Sequence, residues 1–148
     1  MCSTKWPGVD MADRFLALIT DQPIDRAAAE AFVTTRADGA LVVFEGVVRD
    51  HDHGASVHAL DYEAHPDAQR FLAEVCAEIA GASGLRVAAI HRVGALSIGD
   101  VSLVAAVAAP HRAEAFAVCG QLVDLVKERT PIWKRQHLAE GTTEWVGL

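Results

Sequence analysis

The segment Val101-Ser-Leu-Val-Ala-Ala-Val-Ala-Ala109, followed by Pro110-His111-Arg112 and a helical run to Arg129, decides the fold. The nearly unbroken apolar run predicts a strand, and the apolar positions after it recur at helical spacing. Pro131 then ends the helix, because proline lacks the N–H that the helical ladder needs. A strand that leads directly into a long helix predicts a domain in which helices pack on a sheet.

Shorter predicted elements surround this unit. Strand patterns cover residues 14–20, 40–48, 57–64 and 86–93, with two short strands near 132–137 and 144–146. A short helix follows Asp25, its predicted N-cap, and a second helix runs from Pro66 to about Ala82. Because strands and helices do not alternate strictly, the order indicates an α+β domain with a mixed or antiparallel sheet and packed helices.

The domain boundary is predicted from the first strand. We expect one domain over residues 13–148, since 148 residues are enough to bury a core without disulfides. Residues 1–12 are expected to form a flexible leader, and Met11 is a candidate for the true start.

Composition excludes several classes of protein. The net charge of −7 argues against non-specific nucleic-acid binding. The most apolar stretch is about ten residues, too short to cross a bilayer, and the N-terminus lacks a signal-peptide core. Three scattered cysteines, Cys2, Cys76 and Cys119, argue against a disulfide framework or a four-cysteine zinc site. We therefore predict a cytoplasmic protein without a catalytic thiol.

A cationic segment contrasts with this acidic background. Between Lys127 and Arg135 the chain has four cations and one acid, which indicates a site for an anion. A solvated helix end is the alternative, because cations are favoured near helix C-termini.

Lys127 is predicted to lie at the edge of the helix's apolar stripe, which consists of Phe116, Cys119, Gly120, Val123 and Val126. A partly buried lysine near other cations loses affinity for its proton and can act as acid, base or nucleophile. The alternative is a lysine that snorkels to solvent.

Other basic positions are candidates for binding an anion. Arg49 follows an apolar strand, where it could hold a phosphate or carboxylate, although its position taken alone favours an ordinary surface arginine. His111 and Arg112 begin the long helix, where free N–H groups favour anions. Arg112 and Lys127 are separated by about 22 Å of helix, so a small ligand can reach both only if two subunits share the site.

Four histidines, His51, His53, His58 and His65, fall within fifteen residues. Neutral imidazole is a good zinc or copper ligand. No cysteine or acidic pattern completes a recognised site, however, so we interpret these histidines as polar surface and predict no metal.

Five ordered fragments match the pattern of one family. Phe44 to His51 with Gly54 fits F-x-G-x-x-R-x-H-x-x-G, and Lys127 with Pro131 to Arg135 fits K-x-x-x-P-[IF]-W-K-[KR]. Leu60 to His65 resembles L-E-Y-E-A-Y, Ile90 to Gly94 resembles HR-[IL]-G, and Ala109 to Arg112 resembles S-A-H-R. Together these fragments resemble the large, catalytic subunit of molybdopterin synthase.

The resemblance implies a fold, an activity and partners. The fold would be of the α/β hammerhead type, in a homodimer that forms a heterotetramer with a small ubiquitin-like sulfur carrier. The carrier's C-terminal thiocarboxylate would supply two sulfurs in turn to cyclic pyranopterin monophosphate, which forms the dithiolene of molybdopterin and opens the cyclic phosphate. The resemblance implies no metal and no cofactor.

The resemblance also implies roles for individual residues. Lys127 and Lys134 would be catalytic. The substrate-binding set would comprise Val47, Val48, Arg49, His111, Arg112, Lys127, Lys134, Arg135 and Gln136. His111 and Arg112 would be supplied across the dimer, and Arg135 would help to position the carrier tail.

The sequence also departs from the family pattern. Gln136 replaces a usual Glu, His65 a usual Tyr, and Pro110 a small Ala. Gln136 and the early end at Leu148 leave open a non-catalytic paralogue that binds the carrier or the pterin. A histidine-loop metal-binding protein is the third interpretation.

Overall fold

The computed structural model of the chain describes residues 9–10, 14–52, 55–138 and 143–147. These residues form strands and helices in this order: β1 Val9–Asp10, β2 Phe15–Thr20, α1 Arg26–Val33, β3 Ala40–Val47, β4 His51–Asp52, β5 Ala55–Ala64, α2 Ala68–Ser83, β6 Val87–Arg92, β7 Gly94–Ser97, β8 Val101–Ala109, α3 Arg112–Arg129, β9 Ile132–Leu138 and β10 Thr143–Gly147.

The first sheet has the strand order β1-β2-β6-β8-β3, in which β2 and β6 are parallel and the other neighbours are antiparallel. Its strand β8 is buried on both faces. Leu103, Ala105 and Val107 pack in one core with α2 and α3, whereas Val104 and Ala106 pack in another with α1. Burial on both faces explains why the sequence of β8 shows no alternation of apolar and polar residues.

The second sheet has the strand order β10-β9-β5-β4, and β7 also pairs with β5. Its core contains Leu60, Tyr62, Leu96 and Ile132, together with Val48 from the chain that leaves β3. Val48 therefore links the two sheets. No helix among the described residues is both long and apolar enough to cross a membrane.

The predicted α+β class is confirmed, and each predicted strand and helix has a counterpart. The sequence did not reveal β4 or β7, because each is short and recognisable only by its pairing with β5. Strand β7 starts at Gly94, which has a positive φ of 98°. Glycine at a positive φ is typical of a turn, so the sequence predicted a turn at this position. The predicted leader overlaps β1, and its boundary stays a prediction.

Helix α3 corrects the predicted apolar stripe. Its buried residues are Ala115, Cys119, Leu122, Val123 and Val126. Phe116 is 65% exposed and Gly120 is also exposed, so the prediction was wrong for these two. Lys127 is exposed instead of half-buried. Two neighbouring stripes both have helical spacing here, and the large apolar Phe116 favoured the wrong one.

Replacing Asp25 with alanine is expected to lower the free energy of unfolding by about 1 kcal/mol. The Asp25 carboxylate accepts a hydrogen bond from the Ala28 N–H at 3.1 Å, which caps α1. Urea unfolding measures the loss. Asp67→Ala is the matched control, because Asp67 precedes α2 without a side-chain cap hydrogen bond. Equal losses in the two variants would contradict the prediction.

Candidate functional site

Lys127 and Lys134 approach the same buried pair of side chains. Lys134 on β9 lies directly opposite Tyr62 on β5, so the two share one face of the second sheet. The ring of Tyr62 meets the ring of His91 edge-on, with centroids 5.2 Å apart. Burial lowers the pKa of His91 to about 4, and the nearby charge of Lys127 adds to this lowering. The two lysines therefore converge on the Tyr62–His91 pair.

His91 is uncharged at neutral pH and has a defined tautomer. Its ring is only 2% exposed, and Nδ1 lies 2.8 Å from the carbonyl oxygen of Arg92. A carbonyl oxygen can only accept, so Nδ1 carries the proton and Nε2 is the unprotonated nitrogen. A neutral ring therefore lies near the two lysines and adds no positive charge to the cationic site.

Acid is expected to destabilise the protein through His91. The folded-state pKa of His91, about 4, lies below its ordinary value of 6.5, so only the unfolded chain takes up this proton near pH 5. The contribution of the neutral ring to the free energy of unfolding is fully present above pH 6.5 and is lost as the pH falls toward 4. Between pH 7 and pH 5, the free energy of unfolding should fall by about 2 kcal/mol more in the wild type than in His91→Gln. Urea unfolding at both pH values measures this, and equal losses would contradict it.

Arg49 stands at the junction of the two sheets. The preceding residue, Val48, is buried, donates its N–H to the Asp100 carbonyl at 2.9 Å and accepts from the Gly99 N–H at 2.8 Å. Val48 also packs in the same core as Tyr62. These contacts fix the backbone from which the exposed Arg49 projects, whereas Val47 on the other side of Val48 is half exposed.

His111 and Arg112 lie at the far end of α3 from Lys127. Both side chains are exposed and border an open groove beside Gly39 and Pro110. A Cβ on Gly39 would come within 2.8 Å of the Pro110 carbonyl oxygen, so only glycine permits this close approach of β3 to the start of α3. Because α3 is one continuous helix, the structure does not bring these two residues to Lys127 within one chain.

Arg135 and Lys134 point to opposite faces of the second sheet, because side chains alternate along a strand. Arg135 lies opposite Asp61 and donates to its carboxylate from Nη2 at 2.9 Å. Gln136 pairs with Leu60 on β5, and its side chain lies outside the described part of the chain. The predicted set is therefore divided among the sheet junction at residues 47–49, strand β9 and the two ends of α3.

Three residues that received no predicted role contribute to this region, namely Asp61, Tyr62 and His91. All three fall inside the sequence fragments that carried the family resemblance. The sequence therefore contained the motifs that include these residues. Their proximity could not be predicted, because it depends on the pairing of β5 with β9 and on the packing of β6 against that layer.

The described histidines and cysteines do not form a metal or thiol centre. No group of three His, Cys, Asp or Glu side chains among the described residues could hold a metal ion. His53 lies outside the described residues, and so do the side chains of His51 and His58. His65 accepts a hydrogen bond from the Asp67 N–H at 3.0 Å.

Cys76 and Cys119 are both buried, as predicted. Burial raises the pKa of Cys76 to about 12 and also raises the pKa of Cys119. A thiol with a raised pKa and no access to solvent is a poor nucleophile, so neither residue is a candidate for catalysis.

Known proteins match this chain over most of its length. The family model described as MoaE protein matches residues 19–129. A Mycobacterium tuberculosis protein named molybdopterin synthase catalytic subunit 1 is 42% identical over 131 residues, which cover 87% of this chain and 88% of that protein. The molybdopterin synthase catalytic subunit of Nostoc sp. is 38% identical over 133 residues, which cover 88% of this chain and 81% of that protein.

Solved structures agree with these relatives. The crystal structure of molybdopterin synthase from Staphylococcus aureus matches with a TM-score of 0.82 at 33% identity, over 89% of this chain and 97% of that chain. A complex of subunits 1 and 2 of molybdopterin-converting factor from Helicobacter pylori matches in fold, with a TM-score of 0.67 at 19% identity, over 87% of this chain and 89% of that chain. The chain therefore belongs to the MoaE protein family, the catalytic subunits of molybdopterin synthase.

Proposed function

We propose that this subunit transfers sulfur from a thiocarboxylated, ubiquitin-like carrier to cyclic pyranopterin monophosphate. Two successive transfers would form the dithiolene of molybdopterin and open the cyclic phosphate. The observation that carries the proposal is the convergence of Lys127 and Lys134 on the neutral Tyr62–His91 pair. The chain has the cations for an anionic substrate but no accessible thiol among its described residues, so sulfur must arrive on another molecule.

The two lysines would act where negative charge develops. A thiocarboxylate and a cyclic phosphate are both anions, and ammonium groups on either side stabilise the transition state electrostatically. A lysine can also donate a proton to a leaving oxygen or sulfur. We propose that Lys127 and Lys134 fill these roles and that Arg49, fixed through Val48, holds the phosphate.

The exposed stripe on α3 supports a site that two subunits share. Phe116, Gly120 and Lys127 are all exposed on one side of the helix. Gly120 lies close to midway between positions 112 and 127. A two-fold axis near Gly120 would therefore put Arg112 of the partner subunit beside Lys127. Space for a Cβ at Gly120 is open, so a second helix can approach closely.

Strand β3 provides further surface for that dimer. It ends the first sheet and, among the described residues, pairs only with β8. Leu41 is 43% exposed on this strand, and an apolar groove between β3 and α3 is lined by Phe44, Phe116 and Gly120. An unpaired edge strand beside an apolar groove is a surface that proteins normally cover. We propose that a second copy covers it and brings its own His111 and Arg112.

The carrier is proposed as the second kind of partner. The Helicobacter pylori structure is a complex of two subunits of molybdopterin-converting factor, and its likeness to this chain is one of fold. Together with the proposed homodimer, one carrier for each catalytic subunit gives a heterotetramer, which we propose acts in the cytoplasm. Direct roles for Arg135 and Gln136 in holding the carrier tail or the substrate stay predictions.

Reconstitution tests the proposed function. The purified protein is mixed with thiocarboxylated carrier and cyclic pyranopterin monophosphate, and molybdopterin is detected as its fluorescent oxidised derivative. We expect product in proportion to the thiocarboxylate consumed. A folded protein that binds the carrier but yields no product would support the non-catalytic paralogue, and Gln136→Glu would then test whether the missing carboxylate is the cause.

A further inference from the structure

The second sheet has an inner face, on which Tyr62 and Lys134 lie, and an outer face, which holds a network of hydrogen bonds around Asp61. Asp61 Oδ2 accepts one hydrogen bond from Arg135 Nη2 at 2.9 Å and another from His137 Nε2 at 2.6 Å. One carboxylate on β5 therefore binds two residues of β9. The hydrogen bond from His137, and next the one from Arg135, lower the pKa of Asp61. The carboxylate is therefore charged across the working range of pH.

Arg135 is also held from its other side. Trp145 on β10 lies opposite Arg135 in the strand register, and the guanidinium carbon is 5.3 Å from the centre of its indole ring. A guanidinium over an aromatic face is attracted by the ring's negative surface. Asp61 and Trp145 together bind Arg135 to the outer face from both neighbouring strands.

The apolar pattern of β9 conflicts with this arrangement. Trp133 faces outward and is 44% exposed, while Lys134 faces inward and is half-buried. A shift of one residue in the pairing would reverse every side chain of the strand, burying Trp133 and turning Lys134 outward. Burial of Trp133 would favour that shift, because an indole gains more from burial than an ammonium group, whereas the exposure of Ile132, now only 2% exposed, would oppose it.

The backbone pairing of β9 contains one irregularity. The pairing of β5 with β9 already changes register between Val57 and Ala59, so the ladder tolerates an irregularity next to this segment. On the inner face of β9, Ile132 is buried, and Lys134 follows it on that face. Contacts on both faces therefore oppose the shift. Ile132 is packed in the core on the inner face, and Asp61 binds Arg135 and His137 on the outer face.

We propose that Asp61 is a positioning residue, which holds Arg135 and His137 on the outer face of β9 and thereby keeps Lys134 on the inner face beside Tyr62. Asp61 acts through the orientation of the strand and does not touch substrate. The effect on activity rests on the proposed sulfur transfer, whereas the orientation of β9 can be measured independently.

Asp61→Asn and Asp61→Glu test the proposal in the reconstituted complex. Asparagine keeps the shape but loses the charge, so kcat should fall by about tenfold with KM for the carrier little changed, as expected when a catalytic group is misplaced. Glutamate keeps the charge and should restore most of kcat. Glu74→Gln, which breaks an exposed ion pair with Arg70 on α2, is the matched control and should behave as wild type.

Fluorescence quenching by acrylamide measures the orientation of β9 without any turnover. In a background with Trp6 and Trp145 changed to phenylalanine, Asp61→Asn should protect Trp133 from the quencher, and Asp61→Glu should not. His137→Gln removes one donor to Asp61 and should give a smaller change in the same direction. An unchanged kcat, or a lower kcat with Trp133 as accessible as before, would overturn the proposal. Inactive wild-type protein would instead refute the proposed function, while the quenching would still test Asp61.

Discussion

Lys127→Ala is expected to reduce kcat for molybdopterin formation by at least about a hundredfold, the range typical of losing an electrostatic or proton-transfer group. Lys127 is exposed and lies outside the buried stripe of α3. Its removal should therefore change the free energy of unfolding by less than about 0.5 kcal/mol, as is usual for surface positions. Single-turnover assays and urea unfolding of the same preparation give both quantities.

Two further variants define what Lys127 contributes. Lys127→Arg keeps a positive charge but cannot lose a proton near neutral pH, so partial activity would identify charge stabilisation and no activity would identify proton transfer. Arg129→Ala removes a neighbouring cation that pairs with Glu78 and should leave kcat nearly unchanged. A Lys127→Ala enzyme with more than a tenth of wild-type activity would contradict its assignment as catalytic.

Mixing two inactive variants is expected to restore activity if two subunits share each site. Arg112→Ala and Lys127→Ala should each be nearly inactive alone. After subunit exchange at equal concentrations, half of the dimers contain one copy of each, and each mixed dimer has one site with both residues intact. About a quarter of wild-type activity should return, as the two-fold symmetry of an isologous dimer requires.

Lys127→Ala mixed with Lys134→Ala is the matched control for this experiment. Both lysines approach the Tyr62–His91 pair of their own chain, so no mixed dimer should have an intact site. Recovery in this control, or none with Arg112→Ala although subunit exchange is demonstrated by mass labelling, would contradict the shared site.

The sequence predicted those parts of the fold that depend on local pattern. The long apolar strand β8 and the helix α3 were recognisable because each is long and Pro131 ends the second. Strands β4 and β7 were missed, because short segments become strands only through a distant partner. The buried side of α3 was only partly identified, because Phe116 and Ala115 both fit a helical stripe and packing against β8 decides between them.

The candidate site was predictable in composition but not in arrangement. Charge alone marked Lys127, Lys134 and Arg135 as a cationic group. Which of two adjacent cations faces inward depends on strand register, and that depends on contacts with Asp61, 74 residues away from Arg135. His91 was likewise part of a recognised fragment, but its proximity to Lys127 arises only when α3 packs on the first sheet, and its contact with Tyr62 only when the two sheets pack together.

The deep burial of Cys76 and Cys119 has a consequence for the fate of the transferred sulfur. An exposed thiolate near the carrier's thiocarboxylate could attack the acyl carbon, which would form a thioester and release hydrogen sulfide, so that sulfur would be lost from the product. With a pKa of about 12, only about one Cys76 side chain in 10⁵ is ionised at pH 7, and it has no path to solvent. Neither of the two described thiols is therefore able to compete for the transferred sulfur in this way.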